Sequence, residues 1–153
     1  MIKIIAIDKI KEEYIRTGIQ TFLKRLENKC KIDIVEITPA KYHLTDDMDT
    51  ALKKEANLIL NKINTKSYIV ALDKEGTQHT SKEFSKFIYQ TLNKEHITFI
   101  IGGAYGLDKQ ILQKANTTIS FSKMTFTHEI FRLLLIEQIY RAYTIQNNIK
   151  YHH

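Results

Sequence analysis

Short apolar runs alternate with helically spaced segments along the whole chain, and this alternation limits the possible fold more than any other feature. Residues 2–7 read as a buried strand, after which Ile10, Tyr14, Ile15, Ile19, Phe22, Leu23 and Leu26 recur at spacings of three and four. Ile32, Ile34, Val35 and Ile37 predict a second strand, ended at Thr38-Pro39 because proline cannot donate to a ladder. A polar stretch over 40–49 predicts a loop; Met48, Leu52, Ala56, Ile59, Leu60 and Ile63 predict a helix over 48–63, and 67–72 a buried strand. Asp73-Lys-Glu-Gly76 reads as a turn, and Thr80 with Glu83 as a capping box opening a helix that carries Phe84, Phe87, Ile88 and Leu92. Strands over 97–101 and 117–121 flank a short helix capped by Asp108, and a long helix follows over 128–146. Such alternation predicts βαβ units in an α/β fold, a mostly parallel sheet with helices on both faces.

At 153 residues the chain is sized for one domain, 1–153, with no repeat, low-complexity tract or linker to divide it. Lys and Arg outnumber Asp and Glu by 23 to 17, a formal charge of +6, which suits an anionic partner such as nucleic acid. Cys30 is the single cysteine, so no intrachain disulfide forms, and a reducing cytoplasmic location is expected. The opening apolar run meets Asp8 too soon for a signal-peptide core or a membrane span, so neither secretion nor a membrane partner is expected. No His, Asp or Glu group has metal-ligand spacing, and no metal is expected.

Three of the five glycines, Gly102, Gly103 and Gly106, fall between a buried strand and a helix. Bare backbone there either makes a tight turn or lets a ligand approach closely. The spacing G-G-x-x-G matches neither the dinucleotide fingerprint nor a phosphate-binding Walker loop. The final helix carries Ile130, Phe131, Leu133, Leu134, Leu135, Ile136, Ile139, Tyr140 and Tyr143 over more than one stripe, which predicts a second surface to bury, such as a subunit interface.

Four ordered segments carry a resemblance: 100–107 (IIGGAYGL), 120–128 (SFSKMTFTH), 132–143 (RLLLIEQIYRAY) and the terminal 151–153 (YHH). Together with the opening strand and helix and the Leu72-Asp73 strand end, they resemble the large-subunit (23S) rRNA pseudouridine N3-methyltransferases of the SPOUT class over essentially the whole chain. The resemblance implies a C-terminal trefoil knot, a homodimer, and S-adenosylmethionine held by the knot loops. It assigns donor contacts to Leu72, Gly103, Ser122, Lys123, Met124, Thr125, Phe126 and Thr127. The implied acceptor is a pseudouridine N3 in helix 69 of 23S rRNA, on assembled ribosomes, with no DNA partner.

N3 carries a proton and is a poor nucleophile until it is lost, so a base and a nearby cation are wanted. His128 opens the last helix beside the donor loop, while the resemblance places Arg141, Tyr151 and His152 at or near the acceptor, the tail completing the partner subunit's pocket. Read without the resemblance, His128 is a helix-start residue, Arg132 and Arg141 pair with Glu129 and Glu137 along the helix, and the tail is surface. Three positions depart from the family pattern: Tyr105 stands where a smaller or acidic residue is usual, Thr127 where proline is usual, and Asp8 where glycine is usual. These departures keep open a second reading, a divergent paralogue that binds RNA or ribosomes with altered substrate or without catalysis.

Overall fold

The computed structural model describes residues 1–39 and 48–152. Of the loop expected over 40–49, residues 40–47, His43 among them, lie outside the described residues, as does His153, and residues 48–49 belong to a helix. Five strands, β1 (Ile2–Ile7), β2 (Ile32–Ile37), β3 (Tyr68–Gln78), β4 (Ile97–Ile101) and β5 (Thr117–Ser120), form one sheet in the order β2-β1-β4-β3-β5. Every pairing is parallel. The helices α1 (Glu13–Leu26), α2 (Met48–Leu60), α3 (Ser81–Leu92), α4 (Lys109–Lys114) and α5 (His128–Gln146) complete the alternation.

Alternate side chains of the central strands point to opposite faces and build two cores. Ile2, Ile4, Val70, Leu72, Phe99 and Ile101 pack with Ile15 and Ile19 of α1, Phe84 and Ile88 of α3, and Leu135, Ile136 and Ile139 of α5. Ile5, Ile7, Ile69, Ala71 and Ile100 face the other way, onto Ala56 and Ile59 of α2 and Ile111 of α4. β1, β3 and β4 are therefore apolar on both sides, which is why they read as unbroken runs.

Most predicted elements are present, with informative shifts. α1 begins at Glu13 rather than Ile10, because Asp8 takes a left-handed conformation (φ 70°) and turns the chain before the helix starts. A left-handed residue is where glycine is least strained, which gives a physical reason for the glycine expected before Lys9. α2 ends at Leu60 rather than 63.

The larger correction concerns 73–76. β3 does not turn there but runs on to Gln78, and Ile119 is in register with both Leu72 and Thr77, so four residues loop out across β5. Gly76 lies so close that a Cβ on it would stand 2.7 Å from the Ile119 carbonyl carbon and 2.8 Å from that of Thr118. Only a residue without a side chain permits this backbone-on-backbone crossing.

α5 lies between α1 and α3, which explains much of its broad apolar surface. Its flanks are consumed within the chain, tied down by Ser85 Oγ donating to the Ala142 carbonyl (2.9 Å) and Ser81 Oγ donating to Gln138 Oε1 (2.9 Å). Ile130, at its first turn, remains exposed with Met124, Phe126 and Tyr105 near the same end of the sheet.

Candidate active site

The register shift within β3 and the carboxyl ends of β4 and β5 open onto one cleft of about 330 Å³, on the side where parallel α/β sheets take ligands. Three segments line it: Leu72–Lys74 at the register shift within β3, Gly102–Leu107 after β4, and Ser120–Phe126 from the last residue of β5 onward. The glycine loop is closed by Gly106 N donating to the Gly103 carbonyl (3.1 Å), with Gly106 at φ 83° and Asp108 Oδ1 capping α4 through the Gln110 amide (2.8 Å). A Cβ on Gly102 would overlap the Gly106 carbonyl oxygen, so the loop can close only on bare backbone.

The far wall is aromatic. Phe121 packs on Phe131 with centroids 5.0 Å apart and Phe126 on Phe131 at 6.3 Å, while Phe121 meets Phe84 edge-on at 5.7 Å. Ser122 Oγ accepts from the Met124 amide (2.9 Å) and bends the loop, which Thr127 then joins to α5 by accepting from the Ile130 amide (3.3 Å). Such a cleft, apolar on its walls and rich in backbone groups at its rim, fits a mixed ligand with flat and polar portions.

Six of the eight residues assigned to the donor line this cleft: Leu72, Gly103, Ser122, Met124, Thr125 and Phe126. Lys123 is exposed and outside the lining, and Thr127 serves as the helix cap. Asp73, Lys74, Tyr105, Phe121 and Phe131 line the cleft without having been assigned to it. Charged residues directly after a buried strand were the available signal for the first two. Asp73 accepts from the Glu75 amide (2.9 Å) and its other oxygen lies 4.0 Å from where a Gly106 Cβ would be.

His128 also lines the cleft, with a buried Nε2 that makes no hydrogen bond and lies 3.8 Å from Asp8 Oδ2. Burial opposes charge on Asp8, but the Lys9 amide, the Lys11 ammonium and His128 outweigh it and hold the carboxyl below its ordinary range. Behind His128 lies a charged junction. Arg132, 1% exposed, pairs with Glu36 (Nη1 to Oε1, 2.5 Å), not with Glu129, and donates from Nη2 to the Asp8 carbonyl (2.9 Å). Glu129 instead accepts the Lys11 (2.8 Å) and Glu12 (3.0 Å) amides at the start of α1. The Glu12 amide bond is the main reason its carboxyl sits below the ordinary range.

Arg141, Tyr151 and His152 are brought together, but not with His128. Glu137 Oε1 accepts from Arg141 Nη2 (2.6 Å) and from the Tyr151 hydroxyl (3.0 Å); the guanidinium lies 4.7 Å over the Tyr151 ring, and its Nη1 is 3.4 Å from His152 Nδ1. Burial, then the bond to Glu137, raises the Tyr151 hydroxyl above its ordinary range. Arg141 is over three turns along α5 from His128, roughly 20 Å at about 1.5 Å per residue. A wider depression of about 710 Å³ lies at the α1–β2 connection, but all its lining residues fall within 23–32, and it gathers no distant residues.

Residues 1–152 match a family described as "Predicted SPOUT methyltransferase". The chain belongs to the SPOUT methyltransferase family. Among similar proteins are ribosomal RNA large subunit methyltransferase H of Limosilactobacillus fermentum, 44% identical over 99% of this chain and 98% of the relative, and that of Streptococcus uberis, 45% identical with the same coverage. A tRNA (m1G37) methyltransferase from Aquifex aeolicus shares the fold at a TM-score of 0.55 and 15% identity, over 92% of this chain and 69% of that one. The cleft of this SPOUT chain is thus built from the loops that the family resemblance singled out. Among the described residues, no group of three His, Cys, Asp or Glu gathers as a metal site, and no helix is long and apolar enough to cross a membrane.

Proposed function

We propose that the chain is an S-adenosylmethionine-dependent methyltransferase acting on N3 of a pseudouridine in helix 69 of 23S rRNA, as a cytoplasmic homodimer on assembled ribosomes. The observation that carries this reading is the one cleft into which six donor-assigned residues converge from β3 and from the segments after β4 and β5. The glycine loop and the 120–126 loop would hold the donor, its apolar portions against Leu72, Met124 and Phe126 and its polar edges against backbone. When bound, the donor supplies an electrophilic methyl group on a sulfonium that leaves neutral, so the chemistry asks for no metal.

This chain's residues have two tasks: to take the N3 proton and to stabilise the negative charge that spreads over the pyrimidine carbonyls. Arg141 suits the second, a cation held in place by Glu137. His152 suits the first, with Tyr151 orienting the guanidinium face, and His128 is the second histidine candidate at the cleft itself. Because the tail cluster lies far along α5 from its own cleft, we assign it to the cleft of a partner copy, giving a composite site. The exposed Tyr105, Met124, Phe126 and Ile130 supply apolar surface for that contact. The 73–78 segment crossing β5 at Gly76 supports the knotted topology that the family resemblance implies.

Calorimetry with S-adenosylmethionine, paired with methyl incorporation into ribosomes lacking the modification, tests the reading; failure of the donor to bind ends it. Donor binding without incorporation would favour a paralogue that binds RNA without catalysis, a reading supported by Tyr105, a bulky side chain that lines the cleft and is 54% exposed. The composite site has its own test. Co-expressing Arg141→Ala with Gly102→Ala subunits restores activity only if cleft and tail come from different copies.

A further inference from the structure

The C-terminal halves of α1 and α5 and the α1–β2 connection share a face whose positive charge the mechanism above does not use. Lys24, Arg25, Lys29 and Lys31 are all exposed, and none forms an ion pair with a described carboxylate, although Glu27 lies among them. Arg25 is nonetheless held in place: its guanidinium sits 5.3 Å from the Phe22 ring centroid and 5.5 Å from that of Tyr140. Stacking on aromatic faces fixes a guanidinium without consuming its N–H donors, and among the described residues those of Arg25 meet no acceptor. Tyr140 in turn meets Tyr151 edge-on at 4.9 Å, and Tyr151 carries Arg141. Lys29 is fixed beside them, donating to the Arg25 carbonyl (2.7 Å) and lying 5.6 Å over the Tyr143 ring. Lys24, Lys29 and Lys31 line the 710 Å³ depression next to this row.

We propose that Arg25 is a phosphate anchor for the substrate RNA, which with Lys24, Lys29 and Lys31 receives the RNA backbone and seats it against the Arg141–Tyr151–His152 cluster. The inference rests on the reading of the chain as an RNA methyltransferase and names a positioning residue for it. An exposed, preorganised, unpaired guanidinium matches a phosphate, which it can bind through two parallel N–H donors. The aromatics here, Phe22, Tyr140 and Tyr143, are half-buried supports beneath the cations, not side chains that protrude to enter a lipid surface. RNA also accounts for the continuity from Arg25 to the tail cluster, which a separate protein-docking patch would not require.

Binding of ribosomes and of a synthetic helix 69 hairpin is measured between about 50 and 200 mM salt for the full-length protein and for Arg25→Gln, Arg25→Lys and the control Lys114→Gln on α4, across the sheet. Arg25→Gln is expected to raise KM for ribosomes, to leave kcat at saturation and S-adenosylmethionine affinity unchanged, and to lower the slope of log affinity against log salt by about 0.7–0.9, the share of one phosphate. The wild-type advantage then shrinks about threefold across that salt range. Arg25→Lys keeps the slope, and Lys114→Gln changes nothing. An unchanged KM and slope for Arg25→Gln overturns the proposal, as does conversion of that variant to a monomer in sedimentation, which would give the face to a second copy. Equal wild-type affinity for phosphatidylserine vesicles and RNA also overturns it. A wild-type protein that binds ribosomes through Arg25 yet transfers no methyl group leaves the anchor standing and removes the catalytic reading.

Discussion

Arg132→Ala should be the most costly single truncation on α5. The side chain is fully buried and joins three segments at once: α5 itself, the Glu36 carboxylate of β2, and the carbonyl of Asp8 after β1. Removing one partner of a buried pair costs about 3–5 kcal/mol, chiefly because the other charge is left without compensation. Glu36 keeps 34% of its side-chain exposure and can partly rehydrate, so the lower end, about 3 kcal/mol, applies. For a chain of this size that is a fall in Tm of about 6–12 °C. Urea titration at pH 7 and fixed protein concentration measures the loss from the midpoint at constant slope. The double variant Arg132→Met with Glu36→Gln removes both charges and keeps apolar volume, so it should recover most of the stability. A loss below about 1 kcal/mol for Arg132→Ala, or no recovery in the double variant, would refute the view of this pair as the pin between α5 and the sheet.

Gly102→Ala should abolish donor binding in calorimetry while leaving the far-ultraviolet spectrum near wild type, because its Cβ would overlap the Gly106 carbonyl in the loop without touching either core. Lowering the pH should loosen the α1–α5 junction, since the Glu129 and Asp8 carboxyls are depressed in the folded chain. Their contribution is complete above the ordinary carboxylate values and is lost as pH falls through the lower folded ones, and Glu129→Gln should flatten the acid limb of a stability-against-pH curve. Arg141→Ala should lower turnover by roughly 10²-fold or more with donor affinity kept, by analogy with loss of one oxyanion donor. His152→Ala should lose less and regain activity as pH rises; an unchanged rate and profile would leave His128 as the base candidate.

Much of the fold was legible because the central strands are apolar on both faces and the helices on one, so period and run length identify them directly. The 73–76 segment was misread for a physical reason. Charged residues and a glycine after a buried strand look alike whether the chain reverses or crosses another strand, and only the position of Ile119, more than forty residues away, decides between them. The same limit applies to Arg132. Helical spacing offers it Glu129, but the start of α1 has bare amides that capture that carboxylate, and the arginine is left to the acid on β2.

The site shows where local reading stops. The glycine loop alone is equally a tight turn or a ligand cradle, and both descriptions are correct here: the Gly103–Gly106 closure is the turn, and the backbone it bares lines the cleft. What makes it a site is the arrival of the 72–74 stretch of β3 and the 120–126 segment beside it, a consequence of β3 lying between β4 and β5 in the sheet order. Strand order is fixed by long-range pairing that no local pattern encodes. The tail cluster carries this further, since Arg141, Tyr151 and His152 are assembled by their own chain around Glu137 yet held roughly 20 Å along α5 from the cleft residue His128. A rigid helix cannot bring its two ends to one substrate. On the composite reading, a second copy supplies the missing half, and dilution below the dimer dissociation constant should remove turnover before it removes donor binding.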